Sequence, residues 1–345
     1  MSFGVVADEA FVEHRNPPGH PERPERIQAL LGILGSLPES VVRMPPHSIE
    51  EAQILSVHSE EHVRLVAETA GREESILDAD TYASASSYET AKLAAGSAVR
   101  LVEALFDFEI EAGFALVRPP GHHATSGRAM GFCLFNNVAL AAQWAIDQGG
   151  ARRVAIVDFD VHHGNGTQEI FWSRPDVLYV SSHQYPFYPG TGAAEETGAG
   201  AGLGTTVNFP VMAGQDDAFF IALYDRLVAP VLREFEPDLI LVSAGYDAHA
   251  RDPLGGMRMT AEGFGVLATI LSGLAREVCA GRILYVLEGG YDLQGLATGV
   301  TKTIEAAADS TIGRVVSEVS ETFETYRRAT ADRLTSHWRC LRTEV

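Results

Sequence analysis

The run Val154-Ala155-Ile156-Val157-Asp158-Phe159-Asp160-Val161-His162-His163-Gly164-Asn165-Gly166 decides the reading of this chain. It begins as a short apolar segment with a β-branched bias, the pattern of a parallel strand buried on both faces. Continued extended, it sets Asp158, Asp160 and His162 at alternate positions, so their side chains point the same way. Gly164-Asn165-Gly166 then reads as a turn. Two carboxylates in an apolar setting repel, and burying them is costly unless a positive charge lies between them. A divalent cation held by oxygen and nitrogen ligands meets that need. A strand end with solvated charges accounts for one aspartate, but not for Asp-x-Asp-x-His closed by glycines.

Working outward, short apolar runs alternate with helical patterns. Strands are expected at Phe3 to Ala7, Phe114 to Val117, Val177 to Ser181, Leu239 to Asp247 and Ile283 to Leu287. Helices are expected from Pro24 to Leu37, in pieces from Glu50 to Ala70, and over Ser86–Leu105, Val138–Gln148, Asp216–Phe235 and Thr260–Val278. Asp78 to Tyr82 reads as a loop, and His58 and His62, one helical turn apart, as surface or capping residues. Arg26 reads as a surface charge. No break in composition and no repeat divides the series, which predicts one α/β domain with a parallel sheet. Residues 1–310 would form the catalytic domain. Residues 311–345 would form an amphipathic helical extension carrying Val315, Val319, Phe323 and Tyr326, packed on the domain or at a subunit interface of a homo-oligomer.

In such sheets ligands gather at the carboxyl ends of the strands. Four strands end in reactive residues: His122 and His123 after Arg118-Pro119-Pro120-Gly121, the Asp-Asp-His set, Asp247, and Tyr291 after Glu288-Gly289-Gly290. Asp160, His162 and Asp247 give three ligands and leave a position open, the catalytic arrangement for zinc, although the donor set suits several divalent metals. Asp158 takes a supporting role, orienting a histidine or binding a second ion through its backbone. Two neighbouring imidazoles suit acid–base work near neutral pH. Tyr291, with a phenol free to move after two glycines, can donate to a developing oxyanion. Together these residues point to metal-assisted hydrolysis of an unactivated carbonyl compound without a serine or cysteine nucleophile. A Gly-x-Ser-x-Gly turn is absent from the sequence.

Composition bounds the partners. The 345-residue chain has a formal net charge of −20 and no block of Lys and Arg, which argues against nucleic acid. The three cysteines lie far apart, there is no signal-like N-terminus, and no apolar run is long enough to span a bilayer. A cytoplasmic protein with no membrane partner is expected.

The combination resembles the histone deacetylase superfamily, which includes bacterial acetylpolyamine amidohydrolases. The resemblance rests on His20-Pro21-Glu22-Arg23-Pro24-Glu25-Arg26, Arg118 through Ala124, Gly131-Phe132-Cys133, Asp158 through Gln168, Tyr188-Pro189-Gly190-Thr191-Gly192, Gly245-Tyr246-Asp247, Asp252-Pro253-Leu254-Gly255-Gly256 and Glu288 through Tyr291. It implies the arginase-deacetylase fold, one Zn2+ on Asp160, His162 and Asp247, and a tunnel for acyl-lysine-like substrates. It implies His123 as general base and acid, with His122 as its electrostatic partner backed by Asp158. Asn165 matches the class II pattern and gives His123 a neutral neighbour. Phe132 and Tyr188 match the tunnel walls, and Gly131 the acceptor of the substrate amide. A structural K+ or Na+ would lie on Asp158, Asp160, His162, Ser181 and Ser182. Arg26 matches an internal-channel arginine, which moves it from the surface to the interior. Polyamine-selective eukaryotic relatives carry Glu where this chain has Leu254. That difference favours acylated lysine in peptides or proteins, or other small acyl amines, although Asp78 or Asp80 could select a cationic amine instead. A non-catalytic acyl-lysine binder would be expected to have lost a ligand, histidine or tyrosine. A binuclear manganese hydrolase would need further acidic ligands where the chain has Asp247-Ala248-His249.

Overall fold

The computed structural model describes residues 2–309, 317 and 319–342. Among them the strands are β1 (Phe3–Val6), β2 (Val41–Met44), β3 (Ser75–Asp78), β4 (Thr81–Ala83), β5 (Ala112–Ala115), β6 (Val154–Asp158), β7 (Val177–Gln184), β8 (Thr206–Val211), β9 (Leu239–Ala244) and β10 (Ile283–Leu287). The helices are α1 (Glu25–Ile33), α2 (Glu51–Ile54), α3 (Glu60–Ala67), α4 (Ser87–Phe106), α5 (Asn137–Asp147), α6 (Asn165–Phe171), α7 (Asp217–Leu223), α8 (Ala229–Phe235), α9 (Ala261–Val278), α10 (Leu293–Ala308) and α11 (Glu321–Leu334).

Eight of these strands form one parallel sheet in the order β2-β1-β5-β10-β9-β6-β7-β8. The central strands are buried along their whole length and apolar but for Asp158 and Ser243, as a sheet covered on both faces requires. One group of helices, α4 with α5, packs against β1, β5, β6, β9 and β10; a second runs α1, α10, α9, with α7 and α8 against α9. The four strand ends picked out by sequence belong to β5, β10, β9 and β6, which are consecutive in the sheet. The fold therefore brings them to one place.

Several expectations change. β6 stops at Asp158 instead of running on through His162. The Asp158 carboxylate accepts the Asp160 N–H at 3.1 Å and the Asp160 carboxylate accepts the His162 N–H at 2.9 Å, so each aspartate turns its own backbone. Asp78 to Tyr82 is the tip of an antiparallel hairpin, β3–β4, rather than a plain loop. His58 and His62 are buried: His58 Nδ1 meets the Thr125 carbonyl at 2.9 Å, its Nε2 accepts from Asn136 N at 2.9 Å, and His62 Nε2 meets the Leu134 carbonyl at 2.8 Å. They tie α3 to the loop ahead of α5. Of the expected C-terminal helix, α11 spans Glu321–Leu334, capped by Ser320. Phe323 is buried against Phe219 of α7, and Trp338 packs on Phe235 of α8. Val315 lies outside the described residues.

Two predictions follow from this packing. Phe323→Ala should lower stability by about 3 kcal/mol, as for other large buried aromatics, while leaving turnover at 25 °C close to normal. Urea unfolding alongside an activity assay checks it; a loss below about 1 kcal/mol would mean that α11 is not docked in solution. Burial pushes His58 down to about 3. Between pH 6.5 and that value the unfolded chain binds a proton that the native chain does not, so stability falls as pH falls, by up to about 1.4 kcal/mol per pH unit. His58→Gln should flatten the stability–pH slope between pH 6.5 and 4.5; an unchanged slope would contradict the burial argument.

Candidate metal centre and catalytic pocket

Gly164-Asn165-Gly166, read from sequence as a turn, is the N-cap and start of α6, and it carries the entry into the site. Gly166 N and Thr167 N donate to the His122 carbonyl at 3.0 and 3.1 Å, drawing the loop after β5 onto the start of α6. A Cβ at Gly166 would strike the Ala124 carbonyl, and one at Gly164 would strike the Asp158 carboxylate. Glycine is required at both positions by close approach. His122 and His123 thus lie beside the Asp158–His162 turn, with their rings 4.0 Å apart.

Asp160, His162 and Asp247 are buried, and one donor atom from each lies within 4.8 Å of the others. His162 Nδ1 is 3.1 Å from an Asp160 oxygen and 3.1 Å from an Asp247 oxygen. Val161 N donates to Asp247 at 2.9 Å and Gly289 N to Asp160 at 2.8 Å, fixing both carboxylates. Side chains at Gly245 or Gly289 would fill the space these carboxylates occupy. Burial and the Asp160 charge push Asp247 up to about 7. Burial works to raise Asp160 as well, but the His122 charge and the His162 hydrogen bonds outweigh it and hold Asp160 below its usual range. Two buried carboxylates this close need positive charge between them. Either a proton on His162 or a divalent cation meets that need, and two oxygens and a nitrogen in this arrangement fit a zinc-like ion.

The surroundings push the two histidines in opposite directions. His122 Nδ1 lies 3.0 Å from Asp158, whose carboxylate also accepts the Tyr179 hydroxyl at 3.0 Å. Burial opposes a charge on His122, but Asp158, Asp160 and Glu288 overcome it and push its pKa up to about 10. Burial, reinforced by the His122 and His162 charges, holds His123 well below the usual histidine range. Its Nδ1 meets the Asn165 side-chain oxygen at 2.8 Å, while the Asn165 amide nitrogen donates to Met130 Sδ at 3.3 Å. Asn165 therefore accepts from Nδ1–H, and the lone pair of His123 is at Nε2.

A cavity of about 450 Å³ reaches this floor. His123, Gly131, Phe132, His162, Tyr188, Leu254 and Tyr291 line it, so the residues predicted for walls, rim and floor share one space. Phe187 and Asp80 line it too, and Phe187 stacks on His162 with ring centroids 5.4 Å apart. Burial keeps the Tyr291 phenol protonated. Ser181 lies beside Asp158 in the β6–β7 register; its hydroxyl meets His183 Nδ1 at 2.9 Å, and the Ser182 hydroxyl meets that of Tyr224 at 3.0 Å.

Arg26 is buried, which corrects the surface placement read from local pattern. Its Nε donates to the Gly290 carbonyl at 2.7 Å, Nη1 reaches Glu22 at 3.1 Å, and Nη2 reaches the Glu288 carbonyl. Glu22 also pairs with Arg118, and the two arginines hold its carboxyl well below the usual range against the opposing effect of burial. Sequence reasoning gave no role to Glu288, whose carboxylate accepts from Gly121 N at 2.6 Å and His122 N at 3.1 Å, or to Asp252.

Residues 20–307 match the histone deacetylase domain. The chain belongs to the histone deacetylase family. A deacetylase, hydrolytic function goes with that membership. The chain is 41% identical to a probable deacetylase of Archaeoglobus fulgidus over 301 residues, covering 86% of this chain and 83% of that protein. It is 42% identical to the human polyamine deacetylase HDAC10 over 299 residues, covering 82% of this chain but 44% of the human protein. The crystal structure of the HDA15 HD domain superposes with a TM-score of 0.92 at 38% identity, covering 99% of this chain and 98% of that one. This family deacetylase contains, among its described residues, no helix long and apolar enough to cross a membrane.

The packing of Gly245 on Asp160 makes a test. If Asp160 holds a divalent metal, Gly245→Ala should weaken its binding by at least about tenfold, because the new methyl group displaces the Asp160 carboxylate. Competition with a chelator measures it; unchanged affinity would remove Asp160 from the metal set.

Proposed function

We propose that this deacetylase is a zinc-dependent amidohydrolase that removes acetyl or other short acyl groups from N-acyl-lysine side chains. The observation that carries the reading is the cavity itself: an aromatic-walled channel whose floor joins His123, His162 and Tyr291. Asp160, His162 and Asp247 would hold Zn2+, which when bound polarises a carbonyl and lowers the pKa of water.

The protein groups divide the remaining work. Phe132, Phe187 and Tyr188 enclose the methylene stem of the substrate and exclude water, and the Gly131 carbonyl accepts the substrate amide N–H. His123 takes the proton of water at Nε2, because Asn165 keeps the other nitrogen protonated, and later delivers it to the leaving amine. His122, charged through Asp158, stays an imidazolium and supplies a fixed positive field. Tyr291 donates to the oxygen that becomes anionic. A structural K+ or Na+ on Asp158, Asp160, His162, Ser181 and Ser182 fits this scheme, supported by the Asp158–Ser181 pairing in register. Residues 1–310 serve as the catalytic domain and 311–345 as its extension, the docking of Phe323 and Trp338 supporting the division.

The rim favours acyl-lysine. Leu254 is an apolar lining residue, and Asp78 is engaged by Arg128 at 2.8 Å. Acetylated polyamine is the second reading, favoured by the Asp80 carboxylate in the lining.

Tyr291→Phe should cost about a hundredfold or more in turnover, as for loss of one oxyanion donor; near-normal turnover would remove Tyr291 from the scheme. On a matched pair, an acetyl-lysine peptide should be turned over faster than N-acetylputrescine. The reverse preference would move the substrate to polyamines and place Asp80 as the selecting charge.

A further inference from the structure

Tyr291 follows two glycines, yet its backbone is held at every step. Glu288 N donates to the Ala244 carbonyl at 3.0 Å, and Gly289 N to Asp160 at 2.8 Å. The Gly289 carbonyl accepts from Tyr246 N at 3.0 Å, and the Gly290 carbonyl from Arg26 Nε at 2.7 Å. Gly290 has φ +117°, a conformation glycine alone adopts readily. The last two holds come from one carboxylate: Asp252 Oδ2 accepts from Tyr291 N at 2.6 Å and from Asp292 N at 3.0 Å. Its other oxygen accepts from Leu254 N at 3.0 Å. Asp252 is 7% exposed and carries no direct lining of the cavity.

We propose that Asp252 is a positioning residue, fixing the height of the Tyr291 phenol above the floor and tying the cavity rim at Leu254 to it. A carboxylate suits the task because all three partners are N–H donors, which neither an amide nor a hydroxyl satisfies at once. Arg26 also packs on Tyr291, with its guanidinium carbon 5.0 Å from the centre of the ring. The Tyr291 backbone is therefore held by the Asp252 carboxylate and its ring is packed by the Arg26 guanidinium. A shift of the rim at Leu254 is transmitted through a single rigid group to the oxyanion donor. This inference rests on the role given to Tyr291 above.

Asp252→Ser tests it, because a hydroxyl still caps Leu254 N two residues on but is too short to reach Tyr291 N. In the otherwise wild-type enzyme kcat on an acetyl-lysine peptide should fall by about tenfold or more, with KM changed by less than about twofold. In the Tyr291→Phe background the same substitution should cost less than about twofold, because the group that Asp252 positions is gone. If the serine variant unfolds at the assay temperature, Asp252→Asn, which keeps the side-chain size, is carried through the same two backgrounds. No loss in the first background, or an equal loss in both, overturns the proposal. A Tyr291→Phe enzyme with normal kcat would instead overturn the role of Tyr291, a separable result.

Discussion

Two carboxylates, Asp160 and Asp247, are buried together at the ends of adjacent strands, and the surrounding structure is arranged to permit it. Each is fixed by a backbone N–H from the end of another strand, Gly289 after β10 for Asp160 and Val161 after β6 for Asp247. Glycines at 245 and 289 leave the space the carboxylates fill. The strand order β10-β9-β6-β7 is what makes these neighbours, so the topology and the site express the same constraint. Uncompensated, the pair would be costly to bury, and in the proposed scheme a bound cation would both offset that cost and polarise a carbonyl.

Beyond this pair, charge alternates inward. His122 is pushed up by Asp158, Asp160 and Glu288, while His123, one residue on, is pushed down by burial and by the His122 and His162 charges. Adjacent imidazoles shifted in opposite directions suit the division of electrostatic from proton-transfer work proposed above. Beneath them Glu22 takes the charge of Arg118 and part of that of Arg26, leaving Arg26 free to bind the Glu288 and Gly290 carbonyls. The mobile-looking Gly289-Gly290 pair is thereby part of a rigid loop.

What was legible in the sequence follows from how local each signal is. The central strands are largely apolar runs, and their reactive ends sit in the same few residues, so β6, β9, β10 and the grouping of Asp160, His162 and Asp247 could be read directly. β8 could not: it follows a glycine-rich loop, contains Pro210, and lies at the sheet edge, where proline is tolerated. β2 is half exposed and lacks a buried run. α10 carries Gly295 and Gly299, poor helix formers needed because the helix presses on His249 and Tyr246. His58, His62 and Arg26 looked like surface residues because their partners lie far away in sequence: Thr125, Asn136 and Leu134 for the histidines, Glu288 and Gly290 for the arginine. Asp252 and Glu288 serve backbone N–H groups, which no residue pattern announces. Phe187 sat beside Tyr188 in the same loop, and its stacking on His162 is a product of tertiary structure alone.

The central claim is that the buried Asp160–His162–Asp247 set exists to hold one catalytic divalent ion. The direct measurement is a titration of the chelator-treated protein with Zn2+, following bound metal and peptide deacetylation in the same samples. The account predicts that both saturate together at one ion per chain. Deacetylation that persists without a divalent metal, or that requires two ions per chain, would contradict it.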